Sequence, residues 1–113
     1  MIEKTVKDYL KTHLSEGRKV YMEVPENPPD EYVIVEKTGS GRSNHINQAM
    51  IAVRSVSKNS MYKAAELNEE VVGLMDNIIY SEDIFRCELN SDYNFTNTST
   101  KEYRYQAVFN LFY

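Results

Sequence analysis

Two histidines and one cysteine are the first side chains to consider as general bases, metal ligands or a nucleophile. His13 and His45 lie in no pattern of carboxylates and cysteines typical of a zinc site. His13 comes at the end of a predicted N-terminal helix, where we expect ordinary packing. His45 lies in a glycine-rich stretch and could act as a base only if the fold supplied a partner, so we expect an exposed loop residue.

The single cysteine alternates with two apolar residues in a predicted strand. Phe85, Cys87 and Leu89 would share one face of that strand, which indicates a thiol in the core rather than a nucleophile. One cysteine allows no internal disulfide, so the chain suits a reducing cytoplasm.

Gly39, Ser40, Gly41 and Arg42 could suggest a loop that holds a phosphate. A P-loop, however, requires a lysine followed by Ser or Thr at the start of a helix, and here the chain continues into a predicted strand. We therefore predict the flexible tip of a long hairpin loop over residues 38–45.

The predicted central helix carries a charged patch of Glu66, Glu69 and Glu70. We expect this patch to be a solvated helix face, and a partner-binding surface is the alternative. No order of serine, histidine and aspartate suggests an activated nucleophile. The sequence thus predicts no catalytic residue, no cofactor site and no metal site.

A long amphipathic helix over residues 60–79 is the element on which the rest of the chain should pack. Its apolar residues recur at steps of three and four. Asn59 or Ser60 can cap its first turn. Gly73 lies inside it and is expected to make a close packing contact.

The remaining elements complete an α+β fold. We predict a short N-terminal helix before Gly17, and strands over 18–24, 31–37, 46–57, 84–89 and 103–113. A polar loop over 90–100 would carry Tyr93 and Phe95. This order predicts one domain, 1–113, in which a mostly antiparallel sheet is packed by a long central helix and a short N-terminal helix on one face.

The composition and charge of the chain argue against several classes of function. The chain has 113 residues, a formal net charge of -4 and nine tyrosines without tryptophan. An acidic chain without a basic run is not expected to coat nucleic acid, since phosphate binding depends on clustered Lys and Arg. Residues 1–20 lack the apolar stretch of a secretory signal, and no apolar run is long enough to span a membrane.

The order of these elements resembles that of a known family of virion proteins. The features that carry the resemblance are a helix, a strand ending at Val24-Pro25, Pro28-Pro29 leading into Tyr32-Val33-Ile34-Val35, a glycine-rich excursion, the strand 46–57, and a Ser-initiated helix with Ala64 and Ala65. This arrangement is similar to that of the tail-terminator and tail-completion proteins of long-tailed bacteriophages, also called minor tail or head-tail joining proteins.

The resemblance implies a structural virion protein rather than an enzyme. It implies a subunit, assembled in the host cytoplasm, that forms a ring, with a hexamer expected, at the head-tail interface. The ring would cap the tail tube, contact the tube protein and the head connector proteins, and let DNA pass without specific binding. The level of the ring, its subunit number, and whether the parent is an active phage or a prophage remnant stay open, as does a monomeric state in dilute solution.

Two loops and one helix face are the contact regions expected under this hypothesis. Their residues are Gly39, Ser40, Gly41, Arg42, Ser43, Asn44 and His45 in the hairpin, Tyr93 and Phe95 in the second loop, and Glu66, Glu69 and Glu70 on the helix.

Two other function classes stay open. One is a small regulatory or ligand-binding domain without catalysis, whose tyrosine-lined sheet would hold an apolar molecule. The other is a small hydrolase or nuclease that uses His45 with Arg42.

Overall fold

The computed structural model describes residues 1–100 and 102–113. Its helices are α1 (Ile2–His13) and α2 (Met61–Asp76), and its strands are β1 (Lys19–Tyr21), β2 (Glu31–Ser43), β3 (Ile46–Ser57), β4 (Arg86–Asn94) and β5 (Tyr103–Phe112). No helix in this described part is long and apolar enough to cross a membrane.

The five strands form one sheet in the order β1-β2-β3-β5-β4. The pair β1 and β2 is parallel, and the other three pairs are antiparallel. The predicted α+β class with a mostly antiparallel sheet is confirmed. The strand predicted over 18–24 is shorter, because only β1 pairs with β2 before the prolines begin.

Both helices pack on one face of the sheet. Strand residues such as Val35, Val53 and Phe109 are buried there against Leu10 of α1 and Leu67 of α2. These side chains alternate along their strands, as a sheet with one covered face requires. The predicted packing of both helices on one sheet face is therefore confirmed, but α2 lies mainly on β3 and β5 while α1 covers β1 and β2, so the rest of the chain does not all pack on α2.

The opposite face of the sheet carries a second, smaller core. Tyr32, Ile34 and Val56 are buried in it, and Tyr21 packs against them. The hydroxyl of Tyr32 donates a hydrogen bond to Oε2 of Glu102 at 3.2 Å. The β-branched run at the start of β2 is thus shielded from solvent on both faces, as its composition suggests.

Helix α2 begins where the sequence indicates and ends earlier. The Ser60 hydroxyl accepts a hydrogen bond from the backbone N–H of Lys63, which is the expected N-cap. The predicted end at 79 is wrong, because the helix ends at Asp76 and a 3-10 turn, Ile78–Tyr80, follows. Ile78 still reaches the core, so the apolar spacing continues after the helical backbone has changed.

The close contact predicted at Gly73 is wrong. A Cβ built on Gly73 would meet no atom within 4 Å, and the residue is exposed. Replacing Gly73 with alanine should therefore raise the free energy of unfolding by about 0.5–1 kcal/mol, since alanine loses less backbone entropy in a helix. Urea denaturation measures this difference, and a less stable alanine variant would contradict the open environment.

The long hairpin loop predicted over 38–45 is also wrong. Strand β2 continues through Ser43 with one register shift between Lys37 and Gly39, and it stays paired with β3. Only Asn44 and His45 connect the strands, with positive φ values of 51° and 64°. Two such residues match the tight turn of a two-residue hairpin.

The strand and loop predicted over 84–100 are divided differently in the structure. Strand β4 runs to Asn94, with a register shift between Leu89 and Ser91. Tyr93 thus belongs to a strand. Phe85 precedes β4 and is 60% exposed, and Leu89 is 46% exposed, so the predicted apolar core face shared by Phe85, Cys87 and Leu89 is wrong for Phe85 and for Leu89.

Candidate interaction surface

A trough lies at the hairpin tip, on the sheet face opposite the helices. Gln48 in β3 pairs with Gly41 on one side and with Phe112 on the other, and Phe112 pairs with Arg86. These four residues therefore form one row across the sheet. The cavity over this row measures about 520 Å³ and is lined by Gly41, Arg42, Ser43, Asn44, Ile46, Gln48, Phe85, Arg86 and Phe112.

Two glycines leave the β2 side of this surface bare. Gly39 and Gly41 are two residues apart and pair with Met50 and Gln48. Neither has a positive φ, and a Cβ added to either would meet nothing within 4 Å. The subunit's own backbone and packing therefore do not require glycine at these positions. Such glycines in a strand often mark the close approach of another backbone.

Exposed apolar side chains and two arginines border the trough. Ile46 is 40% exposed, and Phe85 is more exposed still. The Arg86 guanidinium lies 5.3 Å from the centre of the Phe112 ring and pairs with Glu88. Arg42 is exposed and makes no ion pair within the residues that the structure describes. The surface can therefore offer both apolar contact and positive charge.

The outer edge of β2 is open beside the trough. Strand β1 pairs with β2 only from Tyr32 to Ile34. From Glu36 to Ser43 the described chain supplies no strand on that side. An open edge presents backbone donors and acceptors to another chain, although the bulge and Lys37 restrict pairing near its start.

The three glutamates of α2 do not form one patch. Glu66 and Glu69 are exposed. Glu70 instead accepts hydrogen bonds from the backbone N–H of Ser15 at 2.8 Å and from its hydroxyl at 3.0 Å. The predicted freely solvated position is wrong for Glu70, because its carboxylate secures the turn after α1. Its predicted part in partner binding stays a prediction.

Arg18 links that turn to the start of β2. Its side chain is only 11% exposed, and its guanidinium donates from Nε and Nη2 to Oε1 of Glu31 at 3.1 and 2.8 Å. Glu70 lies 3.7 Å from Arg18. Burial opposes the positive charge, but the hydrogen bonds and charge of Glu31, helped by Glu16 and Glu70, raise the pKa of Arg18 above its ordinary value. The network joins α2 to the sheet.

Tyr93 and Phe95 lie on the same sheet face as the trough, but elsewhere along it. The Tyr93 hydroxyl accepts a hydrogen bond from Nε2 of Gln106. The Phe95 ring has the guanidinium groups of Arg54 and Arg104 at 5.1 and 4.8 Å from its centre. Arg54 is six residues from Gln48 along β3, which is about 20 Å. The structure therefore does not bring these aromatic residues together with the hairpin tip.

The histidines occupy the environments that the sequence predicts. His13 Nδ1 lies 2.8 Å from the carbonyl oxygen of Tyr9, and the two rings pack 4.5 Å apart. His45 is exposed in the β2–β3 turn. Across 1–100 and 102–113, no three His, Cys, Asp or Glu residues are arranged to hold a metal ion.

Cys87 is partly buried beside the core, where burial first, and then the charges of Asp76 and Glu88, raise the pKa of its thiol to about 12. Since the thiolate is the reactive form, iodoacetamide should modify folded Cys87 at least about tenfold more slowly than the denatured chain at mildly alkaline pH. Mass spectrometry of timed samples measures the two rates. Equal rates would mean that the thiol is exposed and ordinary.

Comparison with protein-family models and with curated proteins finds no match for this chain.

Proposed function

We propose that this chain is a structural subunit of the head-tail joint of a long-tailed bacteriophage. It forms a ring that caps the tail tube and helps to attach the tail to the head. The observation that carries the proposal is the β2–β3 hairpin tip, which combines an open strand edge with an uncovered, partly apolar trough. The order of sequence elements that resembles the tail-terminator and tail-completion proteins supplies the class of assembly.

The shape and charge of the subunit support this role. Its extents are 45 × 26 × 24 Å, so the hairpin tip lies toward one end of an elongated body. A ring requires two different patches on each subunit, and an elongated subunit can separate them. The net charge of -4 suits a conduit for DNA, because an acidic lining repels phosphates instead of retaining them.

Coexpression with the tube protein encoded in the same genome tests the proposal. We expect tubes of limited length that carry this chain at one end only, as judged by electron microscopy with an antibody label. Tubes of unlimited length, together with unbound chain, would contradict the proposed function. Copurification of an apolar small molecule in a closed cavity would instead favour a ligand-binding domain.

A further inference from the structure

We infer that the trough at the hairpin tip binds the acidic, proline-rich segment 22–30 of a second copy of this chain. Neighbouring subunits would then join head to tail. The inference rests on the proposed ring and specifies the contact that builds it.

The segment 22–30 has the properties of a docking peptide. It links β1 to β2 without a helix or strand and contains three prolines. Val24 is 58% exposed, although it is apolar. Prolines hold a chain extended and lower the entropy lost when it docks into an aromatic-lined groove.

Charge makes the segment complementary to the trough. It carries Glu23, Glu26 and Asp30 and no Lys or Arg. Lys7, Lys11 and Lys19 border the same region of their own subunit. None of the three carboxylates, however, makes an ion pair within the described residues. The trough offers Arg42, which makes no ion pair within the described residues, to these carboxylates, beside the exposed apolar groups of Ile46 and Phe85.

The two patches cannot meet within one subunit. Strand β2 begins at Glu31, directly after the segment, and reaches the tip at Ser43. Its length is about 40 Å, which is most of the 45 Å extent of the molecule. A contact between the two patches therefore joins different copies through unlike surfaces. Repetition of such a contact produces a closed ring or an open chain.

The bare backbone at Gly41 provides the first test. Gly41→Val places a branched side chain in the open space over the trough, where a strand accepts valine readily. We expect an unchanged circular-dichroism spectrum and thermal midpoint at or above that of the wild type, but self-association at least about tenfold weaker by sedimentation velocity. Gly73→Ala is the matched control, because it fills open space on α2 and should leave association unchanged.

Charge exchange provides the second test. Arg42→Glu and Glu26→Arg should each weaken self-association by about tenfold, and the double variant should recover most of the loss. Wild-type association that none of these variants alters would overturn the inference and leave the ring proposal standing. A wild-type chain that does not self-associate would overturn the inference, while the coexpression assay would still decide the proposed function.

Discussion

Replacing Arg18 with leucine is expected to lower the free energy of unfolding by about 3 kcal/mol, because two partly buried carboxylates lose their buried counter-charge. Only the 55% exposed Lys63, 3.7 Å from Glu31, remains near one of them. Glu31 would lose both hydrogen bonds from the guanidinium, and Glu70 would lose the nearby positive charge. Leucine retains much of the apolar contact of the arginine stem, so the loss reports on charge rather than on volume. Urea denaturation at neutral pH measures the change.

The exposed pair of Lys4 and Asp8 provides the control for Arg18. Its nitrogen and oxygen are 2.7 Å apart, but the two side chains are 63% and 49% exposed. Lys4→Ala should therefore lower the free energy of unfolding far less than Arg18→Leu does, because solvent screens an exposed pair. Equal losses for the two variants would contradict the view that burial makes the Arg18 network important.

Replacing Tyr32 with alanine should cost about 3–4 kcal/mol, since it removes a fully buried aromatic ring. Tyr32 is 1% exposed and belongs to the core on the sheet face away from the helices. Tyr32→Phe keeps the ring and removes only the hydroxyl that bonds to Glu102, so its expected cost is about 1 kcal/mol. Denaturant titration of the wild type, Tyr32→Ala and Tyr32→Phe separates the contribution of the ring from that of the hydroxyl. Near-neutral behaviour of the alanine variant would show that the second core contributes little.

Tyr32 should also make the free energy of unfolding fall at alkaline pH. Burial first, and then the charge of Glu102, raise the pKa of Tyr32 from 10.0 to about 12. The folded state therefore favours the neutral phenol. The stability that folding gains from the neutral phenol is fully present below pH 10, and it is lost as the pH rises through about 12. The decline in stability over this interval should be shallower in Tyr32→Phe than in the wild type.

The parts of the fold that the sequence predicts well depend on local periodicity. The apolar stripe of α2, its cap at Ser60, and the strands β3 and β5 all depend on patterns within a few neighbouring residues, and each is confirmed. The network of Arg18, Glu31 and Glu70 joins residues far apart in the chain, so spacing alone could not indicate it. The internal hydrogen bonds of Glu70 could not be predicted for the same reason.

The glycines of the hairpin show that the turn propensity of single residues does not by itself predict a loop. Gly39, Ser40 and Gly41 read as a flexible loop, but pairing with β3 holds them in a strand. Their spacing of two residues was the signal that could have indicated one bare strand face. The sequence placed the contact region at 39–45. It missed Phe85, Arg86 and Phe112, which the pairing of β3, β5 and β4 brings to the same trough.

Negative-stain electron microscopy of the purified chain over a range of concentrations tests self-assembly most directly. We expect closed rings of uniform diameter at high concentration, and their loss in Gly41→Val. A chain that stays monomeric at the highest soluble concentration would contradict assembly of the ring through the head-to-tail contact.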